Sequence, residues 1–285
     1  MKRLVFVVVL ACAAMMCFTT GCTNGKHETA NAGDSLADTL AADTTDTLKE
    51  DSVAETAPMP KAADKLFADF FFDFMSKKKV QMSRIQFPLR SVMGNKTKLI
   101  ERKAWKMEHF YQNQEYYTQI FDDEKQMKAF AGADADSAIV EKIHLQEGLV
   151  EQYIFEHPEG KWMLTELRTV WMNQSKNASF LAFLQRFFSD KAFQMRSVKN
   201  PLPYYGPDPE GEDDAVYVKM RIPADTWVDY LPEIPGDQIY NILYGQKYGE
   251  GNEKIFLFKG LSNGLETQLL FKKTGGKWQL VKLNL

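Results

Sequence analysis

The second half of this chain repeats its first half. An aromatic-rich pattern over residues 67–89 recurs over residues 180–202, at a constant spacing of 113 positions. A second pattern, which contains the triplet Gly-Lys-Trp, spans residues 148–167 and recurs over residues 264–283, at a spacing of 116 positions. Self-similarity at a fixed spacing is the signature of a structural unit that is used more than once. The sequence therefore predicts two copies of a unit of about 110 residues.

Each copy begins with a pattern that is typical of an amphipathic helix. Phenylalanines occupy the first, fourth, fifth and eighth positions of residues 67–74, and bulky apolar residues occupy the same positions of residues 180–187. This spacing places one apolar stripe along a helix. Pro88 and Pro201 follow at matched positions, and a proline interrupts a helix because it lacks the amide donor. We expect each helix to end before its proline.

The later part of each copy predicts antiparallel strands. Residues 148–156 and 162–170 flank a turn sequence, as do residues 264–272 and 278–285, so each pair is expected to form a hairpin. A further strand is expected to precede each hairpin, at about residues 138–146 and 254–260. The stretches in between, which contain Trp105 and residues 116–121 in the first copy and Trp227 and residues 238–243 in the second, are less regular. We predict that they contribute in part to a second short helix.

The amino-terminal segment is typical of a bacterial lipoprotein. Lys2 and Arg3 precede an apolar stretch over residues 4–18, which is too short to span a bilayer and has the length of a signal-peptide core. The sequence Thr-Thr-Gly-Cys, ending at Cys22, resembles a lipobox, in which small residues precede a lipidated cysteine. We therefore expect residues 1–21 to be a lipoprotein signal peptide and Cys22 to anchor the protein in the cell envelope, at the outer membrane. An ordinary signal peptide with an incidental cysteine is the alternative.

Residues 22–61 are expected to form a lipidated, disordered stalk. This segment is rich in Ala, Thr, Asp and Ser and has no aromatic residue, so it cannot bury enough apolar surface to fold. It contains five triplets of Asp, then Ser or Thr, then an apolar residue or Thr, which are similar to the O-glycosylation signal of some gut-dwelling Gram-negative bacteria. A low-complexity composition can also generate such triplets. The candidate acceptors are Ser35, Thr39, Thr44, Thr47 and Ser52.

Charge and cysteine content limit what the folded part can do. Residues 62–285 carry a formal charge of zero, which argues against a nucleic-acid partner. Cys22 is the last cysteine of the chain, so the folded part contains no disulfide and its apolar cores must hold it together. We expect two domains, over residues 62–174 and 175–285.

A helix followed by a meander of strands is an α+β unit in which a curved sheet packs on the long helix. In this respect the chain resembles the nuclear-transport-factor-2-like, cystatin-type cone, in tandem. Residues 81–89, the Gly-Lys-Trp strand and the lipobox are similar to a family of lipoproteins of unknown function from gut anaerobes. The resemblance implies two tandem cone-shaped units, each a long amphipathic helix on a curved antiparallel sheet. It implies no reaction, because the shared residues are packing residues.

Relatives of such a cone use its pocket to bind small apolar molecules or to perform acid/base chemistry. An isomerase or dehydratase needs a carboxylate or histidine in a dry pocket. His109 is the one plausible base, although a histidine that only packs remains the alternative. His144 shares its strand face with Val140 and Lys142, which we interpret as the outer face. No zinc or nucleophile-elbow motif occurs in the sequence, so no cofactor is expected.

Two further groups of residues are candidates for binding. Carboxylates in one Pro/Gly-rich loop offer hard oxygen ligands to calcium, although their spacing matches no known ion-binding loop and favours a solvated acidic turn. Aromatic residues crowd the middle of the second copy, and amphipathic aromatics suit sugar, peptide or protein sites. The alternative is that these aromatics fill the cone and the seam between the domains. The carboxylates are Asp208, Glu210, Glu212, Asp213 and Asp214, and the aromatics are Tyr204, Tyr205, Trp227, Tyr230, Tyr240, Tyr244 and Tyr248.

The sequence thus favours a non-enzymatic, membrane-tethered module of the bacterial envelope. Its expected partners are the membrane, through the lipid on Cys22, and a small molecule, a glycan or an envelope protein, bound at the mouth of the second domain or at the seam. The alternative is a cone-fold enzyme of the isomerase or dehydratase type that acts on a small apolar substrate. A third possibility is a structural subunit in which both cones are packed shut.

Overall fold

The computed structural model describes residues 64–130, 135–211, 216–249 and 251–285, which belong to one compact unit. The expected signal peptide, Cys22, the stalk and its candidate glycosylation sites lie outside these residues. The helices are α1 (Phe67–Ser76), α2 (Lys78–Ser83), α3 (Glu124–Phe130), α4 (Ala178–Ser189) and α5 (Lys191–Arg196). The strands are β1 (Ile85–Met93), β2 (Lys96–Ile100), β3 (Tyr116–Phe121), β4 (Ser137–His144), β5 (Leu149–Glu156), β6 (Met163–Trp171), β7 (Leu202–Pro207), β8 (Tyr217–Ile222), β9 (Gln238–Leu243), β10 (Glu253–Gly260), β11 (Glu266–Thr274) and β12 (Lys277–Asn284).

The strands form two six-stranded sheets. Sheet 1 has the order β2-β1-β6-β5-β4-β9, and sheet 2 has the order β8-β7-β12-β11-β10-β3. Pairing is antiparallel except between β1 and β6 and between β7 and β12. The sheets have the same plan, and helices of the described chain accompany both, so the predicted α+β class is confirmed at this level.

The two halves of the chain exchange one strand each. Strand β9, from the second half, completes sheet 1 by pairing with β4. Strand β3, from the first half, completes sheet 2 by pairing with β10. Neither sheet is therefore built from one half alone.

The exchanged strands β3 and β9 meet at a place called here the crossing, where buried side chains hydrogen-bond to the backbone of the opposite strand. Gln119 Nε2 donates to the carbonyl of Ile242 at 2.5 Å, and Gln119 Oε1 accepts from the amide of Ile242 at 2.8 Å. In the reciprocal position, Asn241 Oδ1 accepts from the amide of Ile120 at 3.0 Å. Gln119 and Asn241 are fully buried, where an unpaired backbone group would be costly. The amides thereby satisfy backbone groups at the crossing.

Each sheet packs one face, called here its inner face, on a phenylalanine-rich helix. Phe155 of sheet 1 contacts all four phenylalanines of the α1 stripe, at 5.1–5.9 Å between ring centroids. Phe271 of sheet 2 contacts α4 in the same way, at 5.3–5.5 Å. Trp162 and Trp278 also have like surroundings, since each meets the first phenylalanine of its helix edge to face. The predicted helical stripes are therefore confirmed as core contacts.

At the end of each long helix, a buried glutamine side chain hydrogen-bonds to a backbone carbonyl of the last turn. Gln81 Nε2 donates to the carbonyl of Phe74 at 2.9 Å, and Gln194 Nε2 donates to the carbonyl of Phe187 at 3.0 Å. The last carbonyls of a helix have no partner within the helix and need one elsewhere. A short second helix, α2 or α5, follows each break and ends before the proline, as expected from the sequence.

One sequence prediction about secondary structure holds only in part. Of the two irregular stretches that were expected to contain a short helix, the second contains a 3₁₀ helix at Trp227–Tyr230, but residues 116–121 and 238–243 form strands β3 and β9, which were not predicted. Their alternating side chains contact different cores on the two faces of a sheet, and their pairing partners lie in the other half of the chain. A local pattern cannot report such a pairing. Within the described residues, no helix is long and apolar enough to cross a bilayer.

The crossing generates the first testable prediction. Gln119→Leu keeps the side-chain size but leaves the buried amide of Ile242 without its partner, while the carbonyl of Ile242 still accepts from Gln246 Nε2 at 3.0 Å. The variant should therefore unfold with a free energy lower by about 1–3 kcal/mol. Gln279→Leu, at an exposed position of β12, is the matched control and should change stability by less than about 0.5 kcal/mol. Urea unfolding followed by tryptophan fluorescence measures both. Equal stability of the two variants would refute a supporting role for Gln119.

Candidate ligand-binding site

A half-open groove of about 700 Å³ lies between helix α1 and the face of sheet 2 that points away from α4, called here the outer face. Helix α1 contributes one wall, β3, β10 and β11 contribute the floor, and α3 closes one end. The groove therefore brings a helix of the first half against a sheet built mostly from the second half. We call it the seam groove. Its size suits a drug-sized molecule.

The walls of the seam groove are apolar and partly exposed. Leu66 and Phe72 expose 53% and 52% of their surface. Such exposure is unusual for large apolar side chains that lie close together on one helical segment. Across the groove, Phe130 packs on Tyr244 at 4.6 Å and on Phe121 at 5.2 Å between ring centroids. Aromatic rings of this kind offer flat surfaces for a ring-containing ligand.

Three tyrosines give the groove its hydrogen-bonding groups. Tyr111 stacks on Tyr117 at 4.8 Å, and Tyr244 is close enough to influence the ionisation of Tyr111. Within the described residues, none of the three hydroxyls makes a hydrogen bond, and each keeps some exposure to the groove, so it is available to solvent or to a ligand. Burial raises the pKa of each of them, so all three stay neutral and can donate a proton.

Backbone strain accompanies one of these tyrosines. Phe110, which precedes Tyr111, has a φ of 49°. Bulky residues rarely adopt this region of backbone conformation. The ring of Phe110 packs on Phe71 at 4.8 Å and on Tyr153 at 4.7 Å, and these contacts hold the conformation in place. Strained residues tend to cluster at functional sites, since the surrounding structure must maintain them. The strain at Phe110 sets the position from which Tyr111 enters the groove.

The charged groups of the groove are balanced. Lys259 Nζ forms an ion pair with Glu266 Oε2 at 2.5 Å, and the hydrogen bond from Lys259 lowers the pKa of Glu266. Lys128 lies 3.9 Å from Glu124 on the exposed side of α3. Asp69, at the rim, adds a carboxylate. The groove thus has no excess of positive charge.

The corresponding crevice of the other half is closed. At the spacings of 113, 116 and 122 positions, Ala68, Lys259, Glu266 and Tyr117 of the groove correspond to Leu181, Ile143, Val150 and Ile239. These four aliphatic residues are at most 1% exposed and belong to one core. Gln185 of α4 also donates to the carbonyl of Leu145 at 2.5 Å, which fixes the helix to sheet 1. One crevice is therefore filled with aliphatic side chains, and its counterpart is lined by a small residue, a tyrosine and an ion pair.

A second polar cluster lies on the inner face of sheet 1. The Tyr153 hydroxyl lies 3.4 Å from carboxylate oxygens of both Glu108 and Glu151. Lys142 Nζ lies 3.3 Å from Glu108, and His144 Nε2 lies 3.6 Å from Glu151. The sequence placed His144 on the outer face, which is wrong: Val140, on the same side of β4, is fully buried in the α1 core. Both carboxylates of this cluster therefore already have neighbouring side chains as partners.

Glu141 is a buried carboxylate that faces the strand crossing. Its two oxygens accept from Asn241 Nδ2 at 2.9 Å and from Gln152 Nε2 at 3.0 Å. Burial raises the pKa of Glu141, and these two hydrogen bonds oppose the rise. Asn241 thus links the carboxylate to the backbone of β3, which ties the crossing to the interior of sheet 1.

The structure disperses the aromatic residues that the sequence grouped. Trp227 is fully buried against Phe187, and Tyr204 donates to the carbonyl of Pro207 at 2.9 Å. The remaining candidates lie at four places: Tyr230 packs on Tyr204, Tyr205 is 37% exposed on the far edge of sheet 2, Tyr240 is buried in the α1 core, and Tyr248 donates to the carbonyl of Ile120. Tyr244 is the candidate that lines the seam groove. A binding role for the others stays a prediction.

The other candidates lie away from the groove. His109 is exposed and its Nδ1 lies 3.1 Å from Gln112 Oε1. Asp208 accepts from the backbone amide of Glu210 at 3.1 Å, while Glu212, Asp213 and Asp214 lie outside the described residues. Across the described ranges, no group of three or more His, Cys, Asp or Glu side chains could hold a metal ion.

Sequence reasoning missed most of the groove. Tyr111 and Tyr117 lie in the segment whose strand pairing the sequence did not predict. Lys259 and Glu266 were predicted to lie in strands, and nothing in the sequence marked them as groove residues. One signal was available: Ala68 and Phe72 replace Leu181 and Gln185 within an otherwise matched helical pattern. Departures from an internal match point to positions where the two copies differ in role.

The comparisons with known proteins agree with this architecture. The family model described as "Domain of unknown function (DUF4348)" matches residues 45–285. A crystal structure of a nuclear-transport-factor-2-like (NTF2-like) protein from Bacteroides fragilis NCTC 9343 is 32% identical to this chain, with a TM-score of 0.72. The match covers 80% of this chain and 98% of that one. The comparison with curated proteins found no match. The resemblance inferred from the sequence is confirmed at the level of this fold family.

The burial of Glu141 predicts a pH dependence of stability. A carboxyl group with a raised pKa binds its proton more tightly in the folded state than in the unfolded state, so its contribution to stability falls as pH rises from below 4.5 through the raised pKa. Glu141→Gln keeps an acceptor for Asn241 but cannot ionise. The free energy of unfolding of the variant should therefore improve relative to the wild type as pH rises from about 4 to about 8. Urea titrations across this range test the prediction, and a difference that is independent of pH would contradict it.

Proposed function

This chain belongs to the family of the domain of unknown function DUF4348 and has an NTF2-like fold, and from that premise we propose that it is a non-enzymatic binding lipoprotein of the bacterial envelope. In this proposal, Cys22 carries the lipid and holds the protein at the outer membrane. The stalk separates the lipid from the folded part, and the seam groove holds a small ligand.

The tether rests on the amino-terminal segment that ends at Cys22. A short apolar signal core followed by a lipobox supplies a diacylglyceryl cysteine, and two or more acyl chains are enough for stable anchoring. The stalk that follows is rich in small and acidic residues and places the folded part in the aqueous space.

The seam groove carries the binding proposal. The single observation behind it is the contrast between the two corresponding crevices: Leu181 and its aliphatic neighbours fill one, and Ala68, Tyr117 and an ion pair leave the other open. If the groove served only folding, aliphatic residues would stabilise it better, because buried apolar surface contributes about 25 cal/mol per Å². The tyrosine hydroxyls make no hydrogen bond within the described residues, so they are available to a ligand as donors and acceptors.

The proposal is non-enzymatic because the polar groups of the groove suit recognition. Its titratable groups are neutral phenols and charges that are already balanced, whereas general acid/base catalysis needs a group whose pKa lies near the working pH. The cluster around Tyr153 contains carboxylates, but they are engaged with Lys142, His144 and the tyrosine itself. We further propose that the two sheets arose by internal duplication of one cone-shaped unit, with residues 62–174 and 175–285 as the two copies and with one strand exchanged between them.

The tether predicts a change in cellular location. Cys22→Ala removes the thiol that would receive the diacylglyceryl group, so the variant should move from the membrane fraction to the soluble fraction. Metabolic labelling with radioactive palmitate, followed by fractionation, measures the lipid and the location together. An unlabelled wild-type protein, or a Cys22→Ala variant that stays in the membrane fraction, would refute lipid anchoring.

The groove predicts binding of a small hydrophobic probe. N-phenyl-1-naphthylamine should bind to residues 62–285 with increased fluorescence, and Ala68→Leu, which places in the groove the residue found at the corresponding position of α4, should weaken binding by about tenfold or more. Ala192→Leu makes the same change at an exposed position of α5 and should leave binding unchanged. Both variants introduce leucine at exposed helical positions, so neither should unfold the protein.

Fluorescence titration compares the dissociation constants of the three proteins. No binding by the wild type, or equal binding by the two variants, would remove the seam groove as the binding site.

A further inference from the structure

The seam groove also indicates what kind of ligand it holds, and this step rests on the binding function proposed above. We infer that the ligand is a neutral, largely apolar, ring-containing molecule of drug size that carries a hydroxyl or carbonyl oxygen. Three observations lead to this chemistry: the shape and apolarity of the walls, the tyrosine hydroxyls at the floor, and the balance of charge.

The walls select a rigid apolar body. The ring of Phe72 is half exposed on one side of the groove, and the stacked pair Phe130 and Tyr244 lies on another. Flat aromatic surfaces bind rings through offset or edge contacts, which are favourable beyond simple area burial. At about 700 Å³, the groove is too large for a metabolite of a few atoms and falls in the range of drug-sized ligands.

The tyrosine hydroxyls select an oxygen on that body. Tyr111 and Tyr117 are stacked, and Tyr117 is close enough to raise the pKa of Tyr111, so the two rings present their polar groups near each other. Both are held neutral by burial and can therefore donate as well as accept. A hydroxyl or carbonyl oxygen on the ligand would supply the partner that the described residues do not. A pure hydrocarbon would leave both hydroxyls unsatisfied, at a cost in affinity.

The charges select a neutral ligand. Lys259 is neutralised by Glu266, and Lys128 faces Glu124, so neither offers a free cation to an anionic group. Asp69 adds a negative charge at the rim, which would repel an anion. A carboxylate or phosphate entering the groove would lose its hydration without gaining a counter-charge, and such a loss is expensive.

Three fluorescent probes that share one ring system test this inference. Pyrene is a pure hydrocarbon, 1-pyrenemethanol adds a neutral oxygen, and 1-pyrenecarboxylate adds an anion. We expect 1-pyrenemethanol to bind about 3- to 10-fold more tightly than pyrene, which is the range of one net hydrogen bond. We expect it to bind at least about 10-fold more tightly than 1-pyrenecarboxylate. Fluorescence titration of residues 62–285 gives the three dissociation constants.

Two variants test whether the tyrosine hydroxyls cause the preference for 1-pyrenemethanol over pyrene. The double variant Tyr111→Phe/Tyr117→Phe keeps both rings and removes both hydroxyls, so the preference for 1-pyrenemethanol over pyrene should fall to about one. Tyr205→Phe removes a hydroxyl far from the groove and is the matched control, in which the preference should persist. Binding of pyrene itself should survive in the double variant, which shows that the groove is intact.

The outcomes separate the two proposals. Suppose that Ala68→Leu blocks the binding of all three probes. The seam groove is then confirmed as the binding site, but the inferred ligand chemistry is overturned if the three probes bind to the wild type equally or if the anion binds most tightly. The chemistry is likewise overturned if the double tyrosine variant keeps the preference of the wild type. If Ala68→Leu leaves the binding of all three probes unchanged, the seam groove is not the binding site and the function proposed above fails.

Discussion

The hydrogen bonds from Gln119 and Asn241 to the backbone of the opposite strand are the interaction on which this architecture depends. Strands β3 and β9 pair with β10 and β4 and form no ladder with each other in the described residues, so the buried amides and carbonyls between them need other partners. An amide side chain offers a donor and an acceptor together and can replace a peptide group. With these bonds in place, β3 and β9 can leave their own halves and complete the opposite sheets. The result is a single folded unit with two large cores and a third, smaller one around Phe121 and Ile255.

Features determined by local sequence were open to prediction. The phenylalanine stripes, the breaks before Pro88 and Pro201 and the two terminal hairpins follow from side-chain spacing and turn residues, and the structure has each of them. The tryptophans of the two Gly-Lys-Trp triplets also have like surroundings, because each packs on the first phenylalanine of a helix. These features depend on contacts within one copy of the repeated pattern, and the match between the two copies already indicates those contacts.

Features that depend on pairing between distant segments were not open to prediction. Residues 116–121 and 238–243 have the composition of strands, but their partners lie far along the chain in the other half, so no neighbouring turn marks them. The face of His144 was misassigned for the same reason, since the inner side of β4 is defined by the helix that packs on it. The seam groove was harder still to predict from the sequence, because it forms only where Ala68 of the first half and Lys259 of the second half line the same space.

The exchange of strands explains why a binding groove can arise at this seam. A strand placed in the opposite sheet brings the outer face of that sheet against the helix of its own half, so two crevices form, one for each helix. Aliphatic residues can fill one crevice and preserve stability, as around Leu181, because the scaffold is shared. The other crevice can then hold tyrosines and an ion pair. These groups stabilise the fold less than aliphatic side chains would, but they offer hydrogen-bonding groups to a ligand. Division of the two tasks between corresponding positions is what the proposed internal duplication would permit.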